Sequence, residues 1–174
     1  RYDAFARWTS LQARSELDLS AGYSWIEPDE LPSRSSALVR VEAGWQVVEQ
    51  SELRLTARHE LSDSVRQLST AIDAIDLPVS HTARLPVGAE LYELSEAELG
   101  WYQTVPRGEW SIASSWRDYD FVTDAGLDYR EFGAIFAGSW RLSPRTALQG
   151  DIYYERRRFD VDRRRDTDYQ GSLF

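Results

Sequence analysis

At 174 residues the chain is long enough for one domain with a core of its own. Its net charge of -9 and pI near 4.8 argue against a general affinity for nucleic acid or anionic lipid. The absence of cysteine excludes disulfides, thiolate metal sites and a cysteine nucleophile.

All 20 basic residues are arginine. No run of about 18 apolar residues occurs, so a helical membrane span is excluded. The mean hydropathy of -0.52 says nothing about membrane strands, in which only every second residue need be apolar.

The first stretch, 2–8, places Tyr2, Ala4, Ala6 and Trp8 on one face and is predicted to be a strand. A polar connection over 10–13 leads into the most regular stretch of the chain, 14–25. Read at period two, Leu17, Leu19, Ala21, Tyr23 and Trp25 share one side, and Arg14, Glu16, Asp18 and Ser20 share the other. Extended at roughly 3.3 Å per residue, these twelve residues are long enough for a tilted bilayer crossing.

A loop over 27–36 follows, with two prolines and three acids. The next strand, 37–48, sets Ala37, Val39, Val41, Ala43, Trp45 and Val47 against Arg40, Glu42, Gly44 and Gln46. A tight turn over 49–51 joins it to 52–61, where Leu53, Leu55, Ala57, His59 and Leu61 oppose Arg54, Arg58 and Glu60, so the two form a hairpin. The connection over 62–87 is rich in Ser, Asp and Pro and carries Ile72, Ile75 and Leu77, which fit a short helix or lid.

In the second half, 91–103 is predicted to be a strand with a bulge, because Tyr92 and Leu94 are out of phase with Ala97, Leu99 and Trp101. A turn at 104–109 leads to a strand over 110–119 with Trp110, Ile112 and Trp116 on one face, then an acidic loop over 120–128. Strand 129–142 sets Phe132, Ala134, Phe136, Trp140 and Leu142 against Glu131, Ile135 and Arg141. After a tight turn at 143–145, strand 146–159 has a polar side with Gln149, Asp151, Glu155 and Arg157. A charged loop over 160–168 and a short strand over 169–174 complete about nine strands.

Short and long connections alternate, which places turns on one rim and loops on the other. That asymmetry belongs to up-and-down antiparallel transmembrane β-barrels, with short periplasmic turns and long extracellular loops. Aromatic residues sharpen the expectation: Trp45, Trp101, Trp110 and Trp140 lie beside the turns, while Tyr23, Trp25, Trp116, Phe132 and Tyr154 lie beside the loops. With Leu17, Leu19 and Val41 between them, they are the expected lipid-facing belt and girdles. The expected lumen-lining residues are Arg14, Glu16, Asp18, Arg40, Glu42, Arg54, Arg58, Glu60, Glu98, Arg117, Glu131, Arg141, Asp151 and Glu155. Opposite charges on neighbouring strands can pair there.

Three segments carry a family resemblance: Asp128-Tyr129-Arg130, the run Ser139-Trp140-Arg141-Leu142-Ser143-Pro144-Arg145, and Tyr153-Tyr154-Glu155-Arg156-Arg157-Arg158-Phe159. Together with Arg1-Tyr2-Asp3-Ala4-Phe5 and Ala21-Gly22-Tyr23, they resemble the repeating hairpins of outer-membrane β-barrel porins. More narrowly, the chain is similar to barrel proteins associated with exopolysaccharide and PEP-CTERM (exosortase) loci of Gram-negative bacteria. The resemblance implies an outer-membrane location and a role as a porin-like channel or structural component of surface polysaccharide or protein export. Lipid, lipopolysaccharide, polysaccharide or export machinery would be its partners, and no nucleic acid. It brings no catalytic residues, cofactor or metal. Members are longer than this chain, and about nine strands is an odd number, so the chain is expected to be a segment of a longer barrel.

Two rival readings stand beside it. A soluble secreted β-barrel or sandwich would turn the same apolar faces inward around a ligand. An outer-membrane hydrolase would use a histidine near the extracellular rim. His81, with Asp73 and Asp76 nearby, is the candidate for that role, whereas His59 falls on the apolar face. The arginine run Arg163-Arg164-Arg165 is neutralised locally by Asp160, Asp162, Asp166 and Asp168, so a solvated loop is a simpler account of it than contact with lipopolysaccharide phosphates.

Overall fold

A computed structural model describes residues 2–26, 33–63, 91–122, 127–159 and 164–173. Its strands are β1 (Tyr2–Gln12), β2 (Ser15–Ile26), β3 (Arg34–Val48), β4 (Ser51–Asp63), β5 (Leu91–Val105), β6 (Gly108–Phe121), β7 (Tyr129–Ser143), β8 (Thr146–Phe159) and β9 (Arg165–Leu173). All nine form one sheet in sequence order, and every neighbouring pair is antiparallel. The fold is an all-β, up-and-down meander, with no α-helix among the described residues. β1 and β9 are its two edges, so the sheet is not closed.

Four turns on one rim are two residues long: 13–14, 49–50, 106–107 and 144–145. Pro106 and Pro144 open two of them, where a fixed φ near −65° suits the first turn position. Gly108 follows the first of these turns because a Cβ there would stand 2.0 Å from the Ser139 carbonyl oxygen on β7. Connections on the other rim cover 27–33, 64–90, 122–128 and 160–164.

Several expected boundaries move. β1 runs on to Gln12, so the first connection shrinks from 10–13 to Ala13 and Arg14, and Arg14 lies in the turn rather than on a strand face. β3 starts at Arg34, β6 continues to Phe121, and β9 starts at Arg165 inside the segment expected to be a charged loop. The expected bulge in β5 is absent. Both ladders of β5 run without a shift, and register shifts occur instead at Gln46/Val48 and Arg141/Ser143, beside tight turns.

Tyr92 and Leu94 are in phase with Glu96 and face the polar side, where they are buried with Tyr119 and Phe121. Tyr129 packs on this cluster, its ring stacked on Tyr119 at 4.4 Å. Residues 64–90 lie outside those described, and with them the helix or lid expected around Ile72 to Leu77 and the candidates Asp73, Asp76 and His81. Arg163 and Phe174 lie outside them too.

Candidate functional site

Alternation gives the sheet two faces of opposite chemistry, and burial is inverted relative to a soluble core. On the apolar face Trp8, Trp45, Phe136 and Ile152 keep 55 %, 55 %, 48 % and 65 % of their surface exposed. On the polar face Ser20, Ser24, Glu60, Glu131 and Glu155 are buried. In a single-layer sheet, the face that loses solvent is the inside of its curl, so this sheet curls around its charged side.

Two register rows organise that side. The first runs across all nine strands: Arg7, Ser20, Arg40, Arg58, Glu96, Arg117, Glu131, Arg157, Asp166. From β4 to β9 the charges alternate strictly, and most neighbours are bonded. Arg58 approaches Glu96 to 2.7 Å, and Glu96 also faces Arg117 at 3.4 Å. Arg117 Nη1 donates to Glu131 at 2.7 Å, and Arg157 Nε donates to the other oxygen of Glu131 at 2.9 Å.

Two carboxylates from adjoining rows extend the network. Glu60 lies 3.6 Å from Arg58 and 3.7 Å from Arg40, and Glu155 lies 2.6 Å from Arg157 while accepting from the Tyr153 hydroxyl. The ion-pair chain thus ties β3 to β8. At its β8 end, Arg157 stands over the Tyr129 ring at 6.0 Å, against the buried aromatic cluster.

The second row, one step nearer the short turns, is Thr9, Asp18, Glu42, Thr56, Glu98, Ser115, Gly133, Glu155, Asp168. It holds no base. Asp18 takes Arg7 from the first row, with bonds of 2.5 to 3.0 Å, whereas Glu42 and Glu98 are exposed. Further towards the turns, Gln12, Glu16, Gln46, Glu52, Arg54 and Tyr102 line a cavity of about 460 Å³. Arg54 lies there between Glu52, at 2.7 Å, and the face of Tyr102, at 5.3 Å.

Comparisons with family models, curated proteins and solved structures return no match.

Of the fourteen residues expected on the charged face, eight stand in the two rows: Asp18, Arg40, Glu42, Arg58, Glu98, Arg117, Glu131 and Glu155. Glu16, Arg54, Glu60 and Asp151 share the face at other levels; Arg141 is exposed beside a turn, and Arg14 is in one. The sequence pattern left out Glu96 and Arg7, and it set Arg157 on the polar side of its strand without counting it among the lumen-lining residues; all three are central to the pairing. Their signal was a two-residue spacing from Glu98, Glu155 and Thr9.

The twelve residues expected on the opposite side, Leu17, Leu19, Tyr23, Trp25, Val41, Trp45, Trp101, Trp110, Trp116, Phe132, Trp140 and Tyr154, all fall on the apolar face by register. His59 is there too, with Nδ1 2.8 Å from Ser95 Oγ. Its Nε2 is 3.5 Å from Ser36 Oγ and 4.0 Å from Glu93. Among the described residues, no group of three or more His, Asp or Glu is placed to hold a metal ion.

Proposed function

We propose that this chain forms the wall, or part of the wall, of an outer-membrane β-barrel of a Gram-negative bacterium. Its apolar face contacts lipid and its charged face lines an aqueous interior. In that setting it serves as a porin-like channel or a structural component of surface polysaccharide or protein export. The inversion of burial carries the reading: the sheet curls around paired charges and leaves tryptophan, phenylalanine and isoleucine outside. A soluble barrel or sandwich needs the reverse, with the apolar side inward as its core.

Strands of 9 to 15 residues meet or exceed the 9 to 11 that a tilted membrane strand requires. Two-residue turns on one rim and longer connections on the other agree with barrel asymmetry. With nine up-and-down strands, β1 and β9 point the same way, so an antiparallel closure takes an odd number of further strands between them.

Purification with and without detergent tests this proposal, together with protease protection after reconstitution into phosphatidylcholine vesicles. Protein that is soluble only in detergent, and protected in its strands once reconstituted, is expected. Monodisperse, folded protein without detergent would overturn the proposal.

A further inference from the structure

On the apolar face, near the long-connection rim of β7, β8 and β9, three arginines share one register row: Arg130, Arg158 and Arg165. Arg156, two residues along β8 from Arg158, joins them on the same face opposite Phe132 and Thr167. All four are exposed. Like charges directly opposite each other on neighbouring strands destabilise a sheet, and here they are neighbours across two strand pairs in succession.

Six arginines of the charged face have carboxylate partners. Arg7, Arg40, Arg54, Arg58, Arg117 and Arg157 each meet a carboxylate within 4 Å. In the outward cluster Arg130 has Asp118 at 3.4 Å, whereas Arg156, Arg158 and Arg165 make no ion pair among the described residues. Among the described residues, this local excess of positive charge stands out in a chain of net charge -9.

Immediately towards the middle of the strands, the same face turns aromatic and then aliphatic. Phe132, Tyr154 and Tyr169 form a contiguous wall with ring separations of 6.4 and 5.2 Å, and Phe136 and Ile152 continue it. A cationic shelf thus sits directly above an exposed apolar wall.

We propose that this shelf and wall bind a phosphorylated lipid of the surrounding leaflet. Its phosphate oxygens accept from Arg156, Arg158 and Arg165, and its acyl chains lie along Phe132, Tyr154 and Ile152. Planar guanidinium groups suit phosphate because each can give two parallel N–H bonds to its oxygens, and a phosphate dianion offsets more than one of the clustered charges. The wall selects an amphiphile over free phosphate, because only an acyl chain gains by covering apolar surface. This inference rests on the membrane reading proposed above.

Reconstitution into phosphatidylcholine vesicles containing a minor fraction of phosphatidic acid tests both, followed by mild detergent extraction and native mass spectrometry. The extracted protein is expected to retain phosphatidic acid but not diacylglycerol. The triple variant Arg156→Gln/Arg158→Gln/Arg165→Gln is expected to lose retention by on the order of ten-fold. Arg54→Gln, which removes one such charge from the opposite face, keeps it. Equal retention by the triple variant, or competition by inorganic phosphate as strong as by phosphatidic acid, overturns the lipid site while leaving the barrel in place. Failure of the protein to enter vesicles overturns the barrel reading itself.

Discussion

Glu131 on β7 is held from both sides, by Arg117 on β6 at 2.7 Å and Arg157 on β8 at 2.9 Å, with only 4 % of its surface exposed. Like Glu96 between Arg58 and Arg117, it joins two arginines of the charge ladder through a single carboxylate. Glu131→Gln removes that charge and leaves two arginines facing each other across a strand. A buried pair deprived of one partner typically costs about 3 to 5 kcal/mol. Because both arginines keep some contact with water, a loss of about 2 to 3 kcal/mol is expected. Urea unfolding from micelles measures it, and a variant as stable as the parent would show that the ladder does not hold the strands together.

Adjacent residues of β4 separate the two faces. Thr56 stands between Glu42 and Glu98 on the charged face, and Ala57 stands between Val41 and Ala97 on the other. Thr56→Arg gains two carboxylate neighbours and is expected to assemble normally. Ala57→Arg puts the same side chain into lipid, at a cost of about 2 to 4 kcal/mol near the bilayer midplane, and should fail to insert. Vesicle-insertion assays of the two variants check the faces, and matching defects would refute the assignment.

Gly22 on β2 lies against the backbone of β1. A Cβ at this position would stand 2.0 Å from the Ala4 carbonyl oxygen and 2.5 Å from Phe5 Cα, neither of which can turn aside like a flexible side chain. Gly22→Ala is therefore expected to peel β1 from the sheet, at a cost of about 1 to 3 kcal/mol. Hydrogen exchange should then accelerate at the amides of β1 that bond to β2, while those of β4 to β7 stay protected. Unchanged protection in β1 would mean that the close approach relaxes at no cost.

The two-residue period made the strands and their faces legible, because a pleated strand sends successive side chains to opposite sides. It misled where chemistry changes sides within a strand. Tyr92 and Leu94 keep the period of β5, but they are apolar residues on the polar face, packed into the cluster with Tyr119 and Phe121. Hydrophobicity alone therefore suggested a bulge. Arg165 to Asp168 passed for a loop because both faces of an exposed edge strand can be polar. Pairing partners were not legible. Arg58 meets Glu96 across 64–90 and Arg117 meets Glu131 across 122–128, and connections of that length do not set a register as a two-residue turn does.

Charge selectivity follows from the same pairing. Arg7, Arg40, Arg54, Arg58, Arg117 and Arg157 on the charged face are each matched to a carboxylate, whereas Glu42 and Glu98 are exposed and have no ion-pair partner within 4 Å among the described residues. They flank Thr56 in a row without a base, so two uncompensated negative charges stand roughly 10 Å apart at strand spacing. Carboxylate-lined constrictions favour cations. If the barrel conducts, its reversal potential in a potassium chloride gradient should have the sign of potassium permeation. Glu42→Gln/Glu98→Gln should move it towards zero, whereas Glu93→Gln, on the opposite face of β5, should leave it unchanged. An anion-selective parent, or a double variant as cation-selective as the parent, would show that other charges govern the interior.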